Sequence, residues 1–255
     1  MTDYQVQSNE VEIFQTAVDN HLPLLIKGPT GCGKTKFIEH MAKKLNRPLY
    51  TIACHDDLSA SDLVGRHLIG KDGTYWQDGP LTKAVREGGI CYIDEIVEAR
   101  KDTTVVLHPL SDHRRILPLE KNGETIEAHP DFVLAVSYNP GYQNLLKGLK
   151  PSTKQRFVTM EFDYPKEALE ISIICEQTAI DIKTASQLVG LAREIRNLKE
   201  SDLNESVSTR LIIYTALMIK NGLSAQEACC HCLILPLTDD QETIGALKRL
   251  VNNYF

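Results

Sequence analysis

Short apolar runs that lack a polar face recur through the first two thirds of the chain, and helical patterns separate them. The apolar runs are rich in β-branched residues and cover residues 22–27, 48–53, 90–94, 132–138 and 157–162. Apolar residues at helical spacing cover residues 6–19, 34–45, 81–87 and 100–110. Fully apolar strands that alternate with helices are typical of a parallel sheet with helices on both faces. This part of the chain is therefore predicted to have an α/β fold.

Two stretches interrupt this alternation with the pattern of β-hairpins. Residues 61–80 are rich in glycine and turn at Lys71-Asp72-Gly73-Thr74, and residues 114–130 alternate on both sides of Lys121-Asn122-Gly123. An Asn-Gly pair between alternating runs is the strongest short signal for a hairpin. The sequence thus predicts two β-hairpins inserted into the sheet-and-helix framework.

Helical periodicity dominates after Phe162-Asp163-Tyr164-Pro165. Helices are predicted over residues 168–178, 181–198, 208–221, 224–233 and 242–252. Ser224 and Glu227 form a capping-box pattern, and Thr238-Asp239 is the expected cap of the last helix. We therefore expect an α/β domain of residues 1–163 and a small all-helical C-terminal domain of residues 164–255.

The segment Gly28-Pro29-Thr30-Gly31-Cys32-Gly33-Lys34-Thr35 lies between an apolar run and a helical pattern. A strand, a glycine-rich turn and a helix in this order form a phosphate-binding loop, because the glycines let successive backbone N–H groups face the phosphates at the positive end of the helix. Lys34 is expected to reach the β- and γ-phosphates, and the Thr35 hydroxyl to bind Mg²⁺. All eight residues are therefore assigned to the binding of a nucleoside triphosphate.

Polar residues end the next two apolar runs of the predicted sheet. Asp94 and Glu95 follow the run that begins at residue 90, and Asn139 follows the run that begins at residue 132. Beside a phosphate loop, Asp94 suits Mg²⁺ and Glu95 suits polarisation of an attacking water. Asn139 is expected to orient the same water, although Asn139-Pro140-Gly141 is also good turn chemistry.

Two arginines are candidates for stabilising charge on the phosphoryl group. Arg156 precedes the last apolar run, where it either faces the site of a neighbouring subunit or is a solvated charge at a helix end. Arg210 begins a helix of the C-terminal part, where it either folds over the γ-phosphate or stays at the surface. Residue spacing leaves both pairs of alternatives open.

Charge and cysteine content limit the partners and the compartment. The 255 residues carry a formal net charge of −6, which disfavours nucleic acid as the main partner. No apolar run approaches the length of a membrane span, so no direct membrane insertion is expected. Seven cysteines without secreted-framework spacing favour a reducing cytoplasm. The run Cys229-Cys230-His231-Cys232 is too closely spaced to enclose a metal on a helix, which favours core packing.

Together these positions resemble the AAA+ ATPases. The phosphate loop, Asp94-Glu95, Asn139, Arg156 and Arg210 stand in the order of Walker A, Walker B, sensor 1, arginine finger and sensor 2. The two predicted hairpins match the inserts that mark the MoxR branch of these ATPases. The chain is most similar to the CbbQ/NirQ/NorQ family in the segments Asn139-Pro140-Gly141-Tyr142, Lys150-Pro151-Ser152-Thr153-Lys154-Gln155-Arg156-Phe157 and Phe162-Asp163-Tyr164-Pro165.

This resemblance implies a P-loop AAA+ sheet with two inserted hairpins, followed by a helical lid. It implies that ATP and Mg²⁺ bind between the subunits of a homohexamer, with Thr35 and Asp94 at the metal. The implied catalytic residues are Glu95, Asn139, Arg156 acting from the neighbouring subunit, and Arg210. Members of the family act on a target enzyme together with a partner of the CbbO or NorD type, which carries a von Willebrand factor A domain.

The resemblance implies one of two targets. One branch frees Rubisco from inhibitory sugar phosphates, and another activates nitric oxide reductase. The sequences of residues 139–143 and 150–157 resemble the Rubisco branch most, so Rubisco activation is expected. Maturation of nitric oxide reductase is the alternative. A small-molecule kinase is a less favoured alternative function, because such kinases lack the arginine lid and the paired hairpins. A DNA-acting ATPase conflicts with the acidic balance, and a chelatase subunit remains a further alternative.

The inserts carry two further candidates. Tyr75-Trp76 in the first hairpin either grips a target or partner or packs against the hairpin itself. Arg114-Arg115 precedes the second hairpin and is a candidate for contact with a neighbouring subunit. The family pattern decides neither question.

Overall fold

The structure, a computed structural model, describes residues 4–71, 73–140, 149–198 and 206–255. Its contacts divide the chain into two compact units. The first, here called the α/β unit, comprises Ser8–Gly28 and Lys34–Phe162. The second, here called the helical unit, comprises Met1–Gln7, Pro29–Gly33 and Asp163–Phe255. Most of the glycine-rich loop is therefore grouped with the helices of the second unit.

The α/β unit alternates strands and helices along the chain. Its helices are α1 (Glu10–Asp19), α2 (Lys34–Leu45), α3 (Ala60–Val64), α4 (Pro80–Glu87), α5 (Lys101–Val106) and α6 (Pro151–Lys154). Its strands are β1 (Leu24–Lys27), β2 (Leu49–Ala53), β3 (Gly65–Gly70), β4 (Gly73–Asp78), β5 (Ile90–Asp94), β6 (Ile116–Leu119), β7 (Glu124–Glu127), β8 (Val133–Tyr138) and β9 (Val158–Glu161).

Five of these strands form one parallel sheet in the order β2-β5-β8-β1-β9. They are the five apolar runs predicted from the sequence, which confirms the α/β fold. Every residue of β8 is buried, because helices cover both faces of the sheet. Helices α1 and α2 meet through Phe14 and Phe37, whose ring centroids are 5.5 Å apart, and Phe37 also packs on Phe162.

Both predicted hairpins are present. Strand β3 pairs antiparallel with β4, and β6 pairs antiparallel with β7. The second hairpin turns through one 3₁₀ turn, Glu120–Asn122, and Gly123 follows with φ +69°, a conformation that glycine adopts without strain. Asp72 of the first predicted turn and residues 141–148, which include part of the family-like segment, lie outside the described residues.

The helices of the α/β unit differ from the prediction in three places. The helix expected over residues 6–19 begins at Glu10. The helix expected over residues 100–110 ends at Val106, three positions before Pro109, because proline restricts the residue in front of it to extended conformations. Helix α3 was not predicted, since its five residues are too few to show helical periodicity.

The helical unit contains the five helices predicted for the C-terminal part. They are α7 (Glu167–Thr178), α8 (Ile182–Asn197), α9 (Thr209–Lys220), α10 (Ala225–Cys229), which continues into the π-helical turn Cys230–Ile234, and α11 (Gln241–Tyr254). Ser224 caps α10 as predicted, with its Oγ 3.2 Å from the Glu227 N–H nitrogen. The predicted cap of the last helix was wrong. Asp240 caps α11, and the Thr238 hydroxyl accepts a hydrogen bond from the Asp240 N–H instead.

Candidate functional site

The glycine-rich segment forms the turn between β1 and α2. Lys34 is only 6% exposed, and its Nζ donates to the Gly28 carbonyl oxygen at 2.8 Å. Gly31 and Gly33 have φ values of +70° and +105°, where a side chain would be strained. A Cβ on Gly28 would lie 2.5 Å from the Phe162 carbonyl oxygen. The segment therefore needs Gly31 and Gly33 for their backbone angles and Gly28 for the lack of space for a side chain.

Within the helical unit, the same loop packs against the start of α9. A Cβ on Gly31 would lie 2.6 Å from the Ser208 Cβ, so the loop backbone and the residue that caps α9 are in close contact. The Tyr164 hydroxyl donates to the Thr30 carbonyl oxygen at 3.4 Å. Burial raises the pKa of Tyr164 to about 12, so the hydroxyl keeps its proton. Cys32 of the loop is 2% exposed.

The first predicted acid, Asp94, ends β5 and is held by two hydroxyl groups. Its Oδ1 accepts a hydrogen bond from the Tyr92 hydroxyl at 2.9 Å and another from the Ser137 hydroxyl. Ser137 is fully buried in β8. Ser137 was not among the predicted site residues. A polar residue inside the apolar run 133–138 does point to a hydrogen-bond partner, because a buried hydroxyl needs one.

The second predicted acid, Glu95, lies at the sharp turn that follows β5. Its backbone is left-handed, with φ +54°, which is uncommon outside glycine and asparagine. Its N–H donates to the Ser137 hydroxyl at 3.2 Å, and its Oε2 accepts from the Asn139 N–H at 3.3 Å. Burial raises the pKa of Glu95, the Asp94 charge adds to this, and the Lys34 charge opposes it.

Five of the predicted site residues of the α/β unit meet at one edge of the sheet. Asp94 ends β5, Glu95 follows it, Asn139 follows β8, and Lys34 begins α2. Thr35 also reaches this edge, because its side chain hydrogen-bonds with the Tyr92 hydroxyl. Parallel strands end together, and ligands of such sheets bind at this edge. The geometry therefore gathers a lysine, two carboxylates, a hydroxyl and a backbone N–H in one place.

These residues fit a nucleotide with its magnesium ion. The curled glycine backbone and the buried Lys34 suit phosphate, and the Asp94 carboxylate and the Thr35 hydroxyl are hard oxygen ligands of the kind that Mg²⁺ prefers. Among the described residues there is no cluster of three or more His, Cys, Asp or Glu that suits a metal ion. Mg²⁺ does not require one, since it takes one or two protein ligands together with phosphate oxygens and water.

Arg156 lies at the opposite edge of the same sheet. It is two residues before β9, and the Val158 N–H donates to the Pro23 carbonyl oxygen at 2.9 Å beside the start of β1. Parallel strands begin at one edge and end at the other, and a four-residue strand spans about 13 Å. Arg156 is therefore remote from Glu95 in its own α/β unit.

An acidic side chain holds Arg156 at this edge. The Arg156 Nη1 lies 3.4 Å from the Asp112 Oδ2 and 3.5 Å from the His108 carbonyl oxygen. The same Asp112 oxygen binds Arg114 at 2.7 Å, and hydrogen bonds from Arg114 hold the pKa of Asp112 well below its usual range. Asp112 thus fixes two guanidinium groups side by side.

Arg210 belongs to the helical unit and lies in the first turn of α9. Its side chain is exposed. A Cβ on Gly31 would lie 3.5 Å from the Arg210 Cβ, so this arginine starts beside the glycine-rich loop.

Two candidates remain, the aromatic pair Tyr75-Trp76 and the arginine pair Arg114-Arg115. Tyr75 is 53% exposed, whereas the Trp76 Nε1 donates to Asp78 at 2.7 Å and the Trp76 ring packs edge-on against His67. Arg115 donates to three carbonyl oxygens of its own unit, those of residues 21, 129 and 132, at 3.1–3.2 Å. The aromatic pair is thus half exposed, and Arg115 makes its contacts within the chain.

Comparisons with known proteins match both parts of the chain. Residues 23–157 match the AAA domain of the dynein-related subfamily, and residues 170–254 match the CbbQ/NirQ/NorQ C-terminal family. The denitrification regulatory protein NirQ of Stutzerimonas stutzeri is 60% identical over 99% of this chain and 92% of its own length. Protein NorQ of Paracoccus denitrificans is 57% identical over 99% and 93%, and protein CbbQ of Hydrogenophilus thermoluteolus is 53% identical over 99% and 94%.

A solved structure has the same fold at low sequence identity. A protein from Cytophaga hutchinsonii, named as a candidate ATPase, superimposes with a TM-score of 0.54 at 15% identity, over 98% of this chain and 89% of its own. At this identity the likeness concerns the fold alone.

Proposed function

Since this chain belongs to the CbbQ/NirQ/NorQ family of MoxR-type AAA+ ATPases, we propose that it couples ATP hydrolysis to the remodelling of a target enzyme. The observation that carries this proposal is the arrangement of the α/β unit. Lys34, Asp94, Glu95 and Asn139 meet at one edge of the sheet, and Arg156 lies at the other.

The proposed reaction is attack of water on the γ-phosphorus of ATP. The water oxygen forms the new P–O bond, the bond to the β–γ bridging oxygen breaks, and Glu95 receives the water proton. Its raised pKa suits a base, because a carboxylate with a higher pKa holds a proton better. Asn139 orients the water, and Lys34 neutralises charge on the leaving phosphates. Thr35 and Asp94 would hold Mg²⁺, which would supply further positive charge to the phosphates when bound.

The position of Arg156 supports an oligomer whose sites are shared between subunits. An arginine at the far edge of the sheet cannot serve the site of its own chain, whereas a neighbour in a closed ring can present it to the next site. We propose a homohexamer in which Arg156 stabilises transition-state charge in the adjacent subunit. We propose that Arg210, which lies beside Gly31, responds to the γ-phosphate bound by its own chain, so that α9 senses hydrolysis.

The work of this motor requires a partner protein and a target. We propose a partner with a von Willebrand factor A domain of the CbbO or NorD type, and two candidate targets. Relatives named NirQ or NorQ are 57–60% identical and the relative named CbbQ is 53% identical. These values are too similar to favour Rubisco over nitric oxide reductase, and the assay must compare the two.

The proposed compartment is the cytoplasm, because the seven free cysteines suit a reducing environment. Among the residues that the structure describes, no helix is both long and apolar enough to cross a bilayer.

The test uses the full chain, its cognate partner and each target. We expect ATP-dependent recovery of one target, either Rubisco inhibited by a sugar phosphate or nitric oxide reductase made without the motor. Glu95→Gln should abolish this recovery, whereas Glu39→Gln, an exposed site on α2, should retain it. Recovery by Glu95→Gln at the rate of Glu39→Gln, or activation of neither target, would contradict the proposal.

A further inference from the structure

A buried ion pair crosses the interior of the helical unit. Glu170 of α7 is fully buried, and both of its oxygens bind Arg196 of α8, at 2.7 and 2.8 Å. This bidentate geometry is the strongest form of carboxylate–arginine contact. Neither residue belongs to the nucleotide site described above.

The pair is bonded directly to the start of α9. The Thr209 hydroxyl donates to the Glu170 Oε1 at 2.6 Å, and the Arg196 Nε donates to the Val207 carbonyl oxygen at 2.7 Å. Between these two anchors lies Ser208, which caps α9 and packs on Gly31. The residue after Thr209 is Arg210. The ion pair therefore fixes both sides of the turn from which Arg210 projects.

A second connection leads from the same arginine to the glycine-rich loop. The Arg196 guanidinium lies 4.0 Å from the centre of the Tyr164 ring, close enough for a cation–π contact. The Tyr164 hydroxyl in turn donates to the Thr30 carbonyl oxygen at 3.4 Å. Arg196 thus contacts the segments on both sides of the loop backbone, one through Tyr164 and one through Val207.

Stability alone is a poor reason for this arrangement. Apolar residues of similar volume stabilise a protein interior as well as a buried ion pair does, or better, because both charges lose their hydration. What an ion pair adds is direction, since each of its hydrogen bonds fixes an angle as well as a distance. Here each of the two hydrogen bonds that lead out of the pair, those with Val207 and Thr209, ends on the segment that touches the loop and carries Arg210.

We propose that Glu170 and Arg196 are positioning residues of the ATPase, which hold the start of α9 against the glycine-rich loop so that Arg210 meets the γ-phosphate. The proposal rests on the role given to Arg210 in the proposed function. It assigns no contact between the ion pair and the nucleotide. Its action on the reaction passes through its contacts with Thr209, Val207 and Tyr164.

A single hydroxyl on α9 offers a mild test. Thr209→Val removes the bond to Glu170 and keeps the size of the side chain, and Thr209→Ser restores the hydroxyl. Thr215→Val is the matched control, because Thr215 is also buried on α9 and its hydroxyl bonds to the Leu211 carbonyl oxygen at 2.8 Å and to the Cys232 side chain, neither of which belongs to the ion pair. All are made in the full chain and in an Arg210→Ala background, and kcat, KM and Tm are measured with ATP.

We expect Thr209→Val to lower kcat about tenfold, since a small misplacement of a charged group has effects of this order or larger. Thr209→Ser should recover the loss and Thr215→Val should keep the normal kcat. Thr209→Val should have the lower Tm of the two valine variants, because it loses a charge-assisted hydrogen bond, and both should be folded at the assay temperature. In the Arg210→Ala background, Thr209→Val should cause no further loss.

Three results would overturn the inference, and they differ from one another. Equal kcat for the two valine variants would show that the bond to Glu170 has only a structural role. A tenfold loss that persists in the Arg210→Ala background would show that the ion pair does not act through Arg210. A normal kcat for Arg210→Ala itself would remove the role that the proposed function gives to this arginine, and the inference would fall with it.

Discussion

Replacement of Lys34 by methionine is the substitution whose consequence follows most directly from the geometry. Methionine has a similar unbranched side chain but carries no charge. Lys34 donates to the Gly28 carbonyl oxygen at 2.8 Å and is 6% exposed. In a complex with ATP, the same ammonium group would exchange this carbonyl for the oxygens of two phosphates.

The magnitude follows from this exchange. Each charge-assisted hydrogen bond contributes about 1.5–3 kcal/mol, so two phosphate contacts contribute about 3–6 kcal/mol and the lost carbonyl bond, which is also charge-assisted, offsets about 1.5–3 kcal/mol. The net loss in Lys34→Met is therefore about one such bond, about 1.5–3 kcal/mol, which weakens ATP binding about 10- to 140-fold. Without nucleotide, Tm should be unchanged or slightly higher, because a buried charge is removed.

The assay is titration of a fluorescent ATP analogue, with a thermal melt of each variant with and without ATP. Lys36→Met is the control, since Lys36 lies on the same helix and is exposed. ATP should raise the Tm of the control by mass action and leave that of Lys34→Met unchanged. Equal ATP affinity for the two variants would contradict the phosphate contacts of Lys34. Unfolding of Lys34→Met in the melt would contradict them too, if it explained the loss of binding.

Three further predictions concern the α/β unit. Glu95 must be ionised to act as a base, so kcat should fall as the pH drops through its raised pKa. Glu98→Gln removes one of the charges that raise this pKa, so it should move the acidic limb of the pH–rate profile to lower pH. An unmoved limb argues against Glu95 as the base. Gly28→Ala places a Cβ 2.5 Å from the Phe162 carbonyl oxygen and should lower the free energy of unfolding by about 1–3 kcal/mol, whereas an unchanged denaturant midpoint would show that the backbone yields. Arg115→Met removes the guanidinium from three carbonyl oxygens, of which that of His129 keeps the Phe132 N–H as a donor, and should lower the free energy of unfolding by about 2–4 kcal/mol in the same denaturant titration. A small change confined to assembly would favour the neighbour contact instead.

The sheet and its active edge were predictable because each strand carries its own signal. The run 133–138 is apolar whatever its neighbours are, and parallel strands must end together, so Asp94 and Asn139 were expected at one edge. The glycine-rich loop has a specific spacing that needs no tertiary information. The start of α10 was predicted because the Ser224 side chain caps its own helix.

Contacts between distant parts of the chain were not predictable in this way. Glu170 and Arg196 are 26 residues apart, and nothing in the local pattern of α7 or α8 distinguishes a buried charge from a solvated one. Arg115 was a candidate for contact with a neighbouring subunit, and its local sequence gives no sign that it bonds to carbonyl groups of distant turns. The target enzyme was not predictable either, since the motifs of the nucleotide site are shared by relatives that carry different names.

In the proposed function two chains build each ATP site, one with Glu95 and the next with Arg156. The most direct measurement mixes the inactive variants Glu95→Gln and Arg156→Ala and follows ATP hydrolysis after subunit exchange. In a random equal mixture, about a quarter of the interfaces combine an intact pocket with an intact arginine, so activity should return to about that fraction of the wild-type rate. A mixture that exchanges subunits yet stays as inactive as its components would contradict the claim, as would full activity of Arg156→Ala by itself.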